Sequence, residues 1–61
     1  MTLIAEKEGH EVARILGPFR TAFVLEYLNP EDGQTTRISR TKIHVLRAIA
    51  ERVFPELVWK D

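Results

Sequence analysis

Cysteine is absent from this chain, and glycine and proline occur only three times each. Without cysteine there are no disulfides and no thiolate zinc sites. The two histidines, His10 and His44, lie far apart and lack metal-ligand spacing, so neither a metal nor a cofactor is expected. No apolar run approaches the ~20 residues that a membrane span needs. The beginning, Met1-Thr2-Leu3-Ile4-Ala5-Glu6-Lys7-Glu8, turns charged too early for a signal peptide. No membrane partner is expected, and a cytoplasmic location is.

The marks of catalysis are missing too. There is no glycine-rich phosphate loop, no supported Ser-His-Asp order and no pair of carboxylates on rigid elements. Glu6, Glu8 and Glu11 lie together, but in a short stretch that reads as solvated. A chain of 61 residues rarely encloses a pocket that excludes water. The expectation is a protein that is not an enzyme, with no catalytic residue to name.

Bulk is a further lack. A chain this short hides only about 60% of the surface its unfolded form exposes. Small scaffolds need a staple, and with disulfides and metals excluded the remaining one is association. A homo-oligomer is expected, a dimer first, with an unusually well-packed monomer as the competing outcome.

What is present is a mixed composition, 44% hydrophobic and 30% charged, with no net charge. This is the profile of a folded domain rather than a disordered tail. The charge is unevenly spread. Residues 1–33 hold Lys7, Arg14 and Arg20 against Glu6, Glu8, Glu11, Glu26, Glu31 and Asp32, a balance of −3. Residues 34–61 hold Arg37, Arg40, Lys42, Arg47, Arg52 and Lys60 against Glu51, Glu56 and Asp61, a balance of +3. Such a chain can pair with itself head to tail or offer a basic face to an anionic partner.

The local pattern predicts an α+β domain spanning residues 1–61. Residues 2–7 and 10–16 read as short strands or as one strand interrupted at Gly9. Glu8-Gly9 is a poor two-residue hairpin, because a type I′ turn needs positive φ at both positions and glutamate resists it. A bulge or loose turn at Gly9 fits as well. Gly17-Pro18 reads as a strand stop. Residues 20–28 form the strongest strand, with Phe23, Leu25 and Tyr27 on one face and Ala22, Val24, Glu26 and Leu28 on the other. Asn29-Pro30-Glu31-Asp32-Gly33 has the chemistry of a hairpin loop leading into a strand at 34–39. A helix is expected from Ser39 or Thr41 to about Phe54, stopped by Pro55. Ile43, Leu46, Ile49, Ala50, Val53 and Phe54 form its apolar face. Residues 56–61 are too apolar for a free tail and are expected to pack back or against a partner. The implied architecture is a small antiparallel meander of three or four strands followed by one amphipathic helix packed on one sheet face. The central strand is apolar on both faces and one helix covers only one, so the other face is left for a second chain.

Two groups of cations are candidates for anion contact. Arg37, Arg40 and Lys42 lie where a strand enters the helix, where unpaired amides of the first turn also gather, and Arg47 follows on the helix. Arg14 and Arg37 flank Glu26 if their strands flank the central one. Arginines on an open sheet face can enter a DNA major groove, but an Arg14–Glu26–Arg37 ladder of ion pairs is the plainer reading. Interface candidates are Val24, Tyr27 and Trp59, since tyrosine and tryptophan are common at hot spots.

Residues Asn29 to Ser39 resemble the wing hairpin of MarR-type winged-helix regulators, which also runs into a helix. The helix-turn-helix that precedes such a wing has no counterpart here, because residues 2–28 read as strands. The order of three strands and a helix is similar to that of AP2-type DNA-binding domains, without their basic and aromatic sheet residues. Neither likeness assigns a family. The leading expectation is a small non-catalytic regulatory or inhibitory protein that self-associates and binds a protein through its uncovered sheet face and C-terminal segment. The alternative is a nucleic-acid-binding module built on the basic strand-to-helix junction.

Overall fold

The computed structural model describes all residues, Met1–Asp61. Five strands and one helix follow in the order β1 (Thr2–Lys7), β2 (His10–Phe19), β3 (Ala22–Leu28), β4 (Thr35–Arg40), α1 (Ile43–Val53) and β5 (Val58–Lys60). The strands form one antiparallel sheet in the order β4-β3-β2-β1-β5, with α1 across one face. The α+β expectation therefore holds, with five strands in place of three or four.

The β1–β2 connection is the two-residue hairpin that the sequence argued against. Glu8 and Gly9 both have positive φ, 53° and 82°, and Lys7 faces His10 across the turn. Pairing on either side closes the loop at two residues, and glutamate is held in a region that costs an L-residue about 1–2 kcal/mol. Gly17-Pro18 does not end β2 either. The strand continues to Phe19 through an irregularity between Leu16 and Phe19. Gly17 sits at φ 135°, and a Cβ there would lie 3.1 Å from Phe23 Cδ1 and 3.2 Å from the Ala22 carbonyl oxygen. Arg20 and Thr21 belong to the following turn, with Arg20 at φ 60°, so β3 starts at Ala22 rather than at residue 20.

The β3–β4 loop forms as its residues dictate. Asn29 Oδ1 accepts from the Glu31 amide at 2.9 Å, and Asp32 Oδ1 accepts from the Gln34 amide at 2.8 Å. Gly33 takes φ 71° and donates its amide to the Asn29 carbonyl. These side-chain bonds stand in for a backbone turn. The helix starts later than expected. Pairing with β3 keeps the chain extended through Arg40, opposite Phe23, so neither Ser39 nor Thr41 caps α1. Lys42 holds the N-cap position without a side-chain cap bond.

Helix α1 carries the chain from one sheet edge towards the other. Eleven residues of helix span about 16 Å, and β4 and β5 are four strand spacings apart, about 19 Å. After Pro55, Glu56 turns the chain at φ 64° and β5 joins the free edge of β1, placing Trp59 opposite Ala5. The C-terminal segment thus becomes a fifth strand.

The core lies between sheet and helix. Ala5, Ala13, Ile15, Leu25, Tyr27, Leu46 and Ala50 are its buried residues. Leu3, Phe23, Ile38, Ile43, Ile49, Val53, Phe54, Leu57 and Trp59 pack around them. Leu46 is the only large helix side chain fully buried. No side-chain polar atom is buried without a partner. No helix is long and apolar enough to cross a membrane.

Candidate functional site

The sheet face opposite α1 has no covering layer. Its residues follow from the register. One row across the strands runs Thr2, Leu16, Val24, Ser39, and the next runs Lys60, Ile4, Arg14, Glu26, Arg37. Val58, Glu6 and Glu11 form a third row, Leu28 pairs with Thr35 beyond Glu26 and Arg37, and Ala22 faces Phe19 across the β2–β3 turn. Side chains alternate between faces along each strand, so the face divides into two ends. Leu16, Phe19, Ala22 and Val24 make a mainly apolar end, with Phe19 58% exposed. Glu6, Glu11, Arg14, Glu26, Arg37 and Lys60 gather towards the other end, interleaved with Ile4, Val58 and Leu28, of which Val58 is 58% and Leu28 60% exposed.

All three ion pairs of the molecule lie on this face. Arg14 Nη2 meets Glu11 Oε2 at 2.5 Å, Arg37 Nε donates to Glu26 Oε2 at 2.7 Å, and Lys60 Nζ lies 2.9 Å from Glu6 Oε1. The hydrogen bond that Arg14 donates to Glu11, and then the charge of that carboxylate, hold the guanidinium more firmly protonated than an isolated arginine. The Arg14–Glu26–Arg37 row exists as the sequence suggested, but Arg14 takes Glu11 as its partner while Glu26 takes Arg37. Two of the three pairs join the acidic N-terminal half to the basic C-terminal half. The opposed charges of the two halves are met within one chain, because the sheet interleaves them.

The proposed anion cluster is not assembled. Arg37 lies on the open face, whereas Arg40, opposite Phe23, shares the helix side of the sheet and donates to the Ser39 carbonyl. Residues three apart on a strand point to opposite faces, so Arg37 and Arg40 diverge, and Lys42 stands exposed beyond the strand end. Arg47 lies over the Trp59 ring, 5.3 Å from its centroid.

The interface candidates separate in the same way. Val24 is on the open face. Tyr27 is not: it is buried beneath α1, with Phe54 edge-on at 5.9 Å between ring centroids. Trp59 is on the helix side, its Nε1 donating to Glu51 Oε2 at 3.0 Å. Parity along β3 already placed Tyr27 opposite Val24, a signal that composition-based selection of aromatics ignored. The open face also contains Ile4, Leu16 and Phe19, which the sequence reading did not single out. Their signal was the alternation in β1 and β2, obscured by the irregularities at Glu6 and Gly17.

Two of the surface depressions border these residues and α1, and both are open to solvent. One, of about 230 Å³, lies over Glu11, Arg14, Glu26 and Leu28. The other, of about 330 Å³, lies between Asn29-Pro30-Glu31 and the end of α1 at Arg52 and Val53. No three of the His, Asp and Glu side chains are grouped to hold a metal ion. No protein-family model, curated protein or solved structure matches this chain.

Proposed function

We propose that this chain is a small non-catalytic regulatory or inhibitory protein that self-associates and binds protein through its uncovered sheet face. The observation that carries the reading is the composition of that face, where Phe19, Leu28 and Val58 stand exposed with no covering layer and the cations and anions between them are paired within the chain. Burying such a face removes apolar surface from water at about 25 cal/mol per Å² and leaves no charge without its counter-ion. The C-terminal segment takes a smaller part than the sequence suggested. Trp59 is engaged by Arg47 and Glu51, and only Val58 of β5, 58% exposed, joins the open face. A nucleic-acid partner would need unpaired cations on one surface; Arg14 and Arg37 each have a carboxylate in place, and Arg40 lies on the other side of the sheet from Arg37.

The test is a photo-crosslinking side chain in place of Val24 or, on the outer face of α1, Ala48, expressed in cells of the source. Adducts to another protein from position 24 and few from position 48 are expected. Adducts from position 48 alone, or adducts to nucleic acid from position 24, would overturn the reading.

A further inference from the structure

We infer that two copies of this chain join edge to edge through β4, antiparallel, about a two-fold axis that passes between their Thr36 residues. The inference rests on the reading above in one respect, self-association. It places that association at the edge of the sheet, which leaves the open face free for a different protein.

The backbone shows what the edge offers. β4 pairs with β3 alone. At the loop end of this ladder the Asn29 amide donates to the Gln34 carbonyl at 2.8 Å, and the register continues from Leu28 opposite Thr35 to Phe23 opposite Arg40. Opposed residues of an antiparallel pair alternate between bonded and non-bonded. Counting from Gln34, Thr36, Ile38 and Arg40 turn their N–H and C=O groups towards β3, while Thr35, Arg37 and Ser39 turn theirs outward. Arg40 Nη1 donates to the Ser39 carbonyl at 2.7 Å, in keeping with an outward Ser39. The groups of Thr35 and Arg37 have no such partner.

Sheet edges are commonly guarded by a proline, a bulge, a short strand or a projecting charge. The opposite edge is short, since β5 has three residues. β4 has six, with no proline and no register shift. Its central charge is drawn back over the sheet, because Arg37 Nε donates to Glu26 Oε2 at 2.7 Å. Free donors and acceptors two residues apart recur about every 6.6 Å, the spacing of another extended strand.

Charge then selects the occupant and the register. From Gly33 to Ala50 the chain holds Arg37, Arg40, Lys42 and Arg47 and no carboxylate, while Glu31 and Asp32 lie just before β4. Arg40 and Lys42 are exposed and belong to none of the ion pairs. An antiparallel partner for this edge therefore needs carboxylates ahead of its own strand, and a second copy brings Glu31 and Asp32 there. Three registers engage the outward groups. Centring on Arg37 sets Arg37 against Arg37, and like charges directly opposed are unfavourable. Centring on Ile38 uses the Ser39 carbonyl, which Arg40 already occupies. Centring on Thr36 lets Thr35 of one copy exchange both backbone bonds with Arg37 of the other, using the groups that are free. Thr36 then meets its own copy in a non-bonded pair, where side chains approach most closely and threonine pairs are favourable. The Glu31-Asp32 loop of each copy comes beside Arg40 of the other. The two Arg37 side chains stand diagonally, each held to its own Glu26. The product is one continuous sheet with both helices on the same side.

The test uses the whole chain. An edge of six residues buries less than a standard interface, so a dissociation constant of about 10–100 µM is expected. Sedimentation equilibrium up to about 1 mM should carry the parent from 7.1 kDa to twice that mass. Thr35→Pro removes an outward amide that β3 does not use, a place where an edge strand tolerates proline, and should weaken the dimer at least about 10-fold. Arg40→Glu, which sets like charges together, should weaken it about 3-fold or more. Amide hydrogen exchange of the parent needs no substitution. At about 1 mM against 5 µM the Thr35 and Arg37 amides should slow several-fold or more, while Thr36 and Ile38 are protected at both. A parent that stays at 7.1 kDa throughout overturns the inference and self-association together. A dimer whose Thr35 and Arg37 amides do not slow, or that Thr35→Pro leaves equally tight, overturns the edge and leaves self-association standing. Thr35 protected as fully as Thr36 in the monomer overturns it as well. A photo-crosslinking side chain at Thr35 that captures only a different protein in cells would give the edge to a foreign strand and overturn the second copy. Crosslinking of a different protein from Val24 is unaffected by any of these results.

Discussion

Leu46→Ala tests the seating of the helix, on which the rest of the fold depends. Helix α1 has eleven residues and no side-chain cap, too short to persist in water without packing. Two of its residues are fully buried, Leu46 and Ala50, and only Leu46 has volume to lose. Truncating a fully buried leucine costs about 2–5 kcal/mol through lost transfer energy and the cavity left behind. About 3 kcal/mol, within that range, is expected here. A domain of this length has a total stability of roughly 3–9 kcal/mol, at about 0.05–0.15 kcal/mol per residue. The loss therefore takes a third or more of it. At about 4–8 °C per kcal/mol for so small a domain, Tm should fall by about 12–24 °C. The assay is thermal and urea unfolding followed by circular dichroism at one protein concentration, since association shifts apparent stability. Arg47→Ala, on the outward face, serves as the control and should stay within about 0.5 kcal/mol apart from its stacking on Trp59. If Leu46→Ala melts within about 1 kcal/mol of the parent, the helix is not held as described.

Two backbone positions give further predictions. Gly17→Ala should destabilise by about 2 kcal/mol or more, because φ 135° is closed to alanine. The new Cβ would also meet Phe23 and the Ala22 carbonyl at 3.1 and 3.2 Å. A neutral result in urea unfolding would mean that β2 does not pass Gly17 in this conformation. Glu8→Asn should stabilise by about 0.5–1 kcal/mol, raising Tm by a few degrees, because asparagine enters the left-handed region more readily than glutamate. An unchanged or lower melting temperature would argue against a two-residue turn with positive φ at both positions.

How far the order of residues reaches is clear from particular elements. The β3–β4 hairpin was legible because Asn29, Pro30, Asp32 and Gly33 each encode a local conformation, and the bonds that Asn29 and Asp32 accept come from amides two residues on. The apolar face of α1 was legible for a similar reason, since spacing alone aligns Leu46, Ala50 and Val53. The Arg14–Glu26–Arg37 row was a conditional expectation, and the register supplies it. What only the tertiary structure decided is where long-range pairing overrode local preference. Glutamate accepts positive φ at position 8 because the ladder between β1 and β2 closes there. Ser39 stays extended opposite Val24 instead of capping a helix, because β3 offers backbone partners through Arg40. Val58-Trp59-Lys60 is too short to announce a strand, and becomes one because the helix delivers it to the free edge of β1. The candidate site divides along the same line. A list of arginines in sequence cannot say which share a face, because facing depends on register and on the two irregularities of β2. The open face, with its apolar end and its internally paired charges, exists only once five strands from both halves of the chain lie side by side.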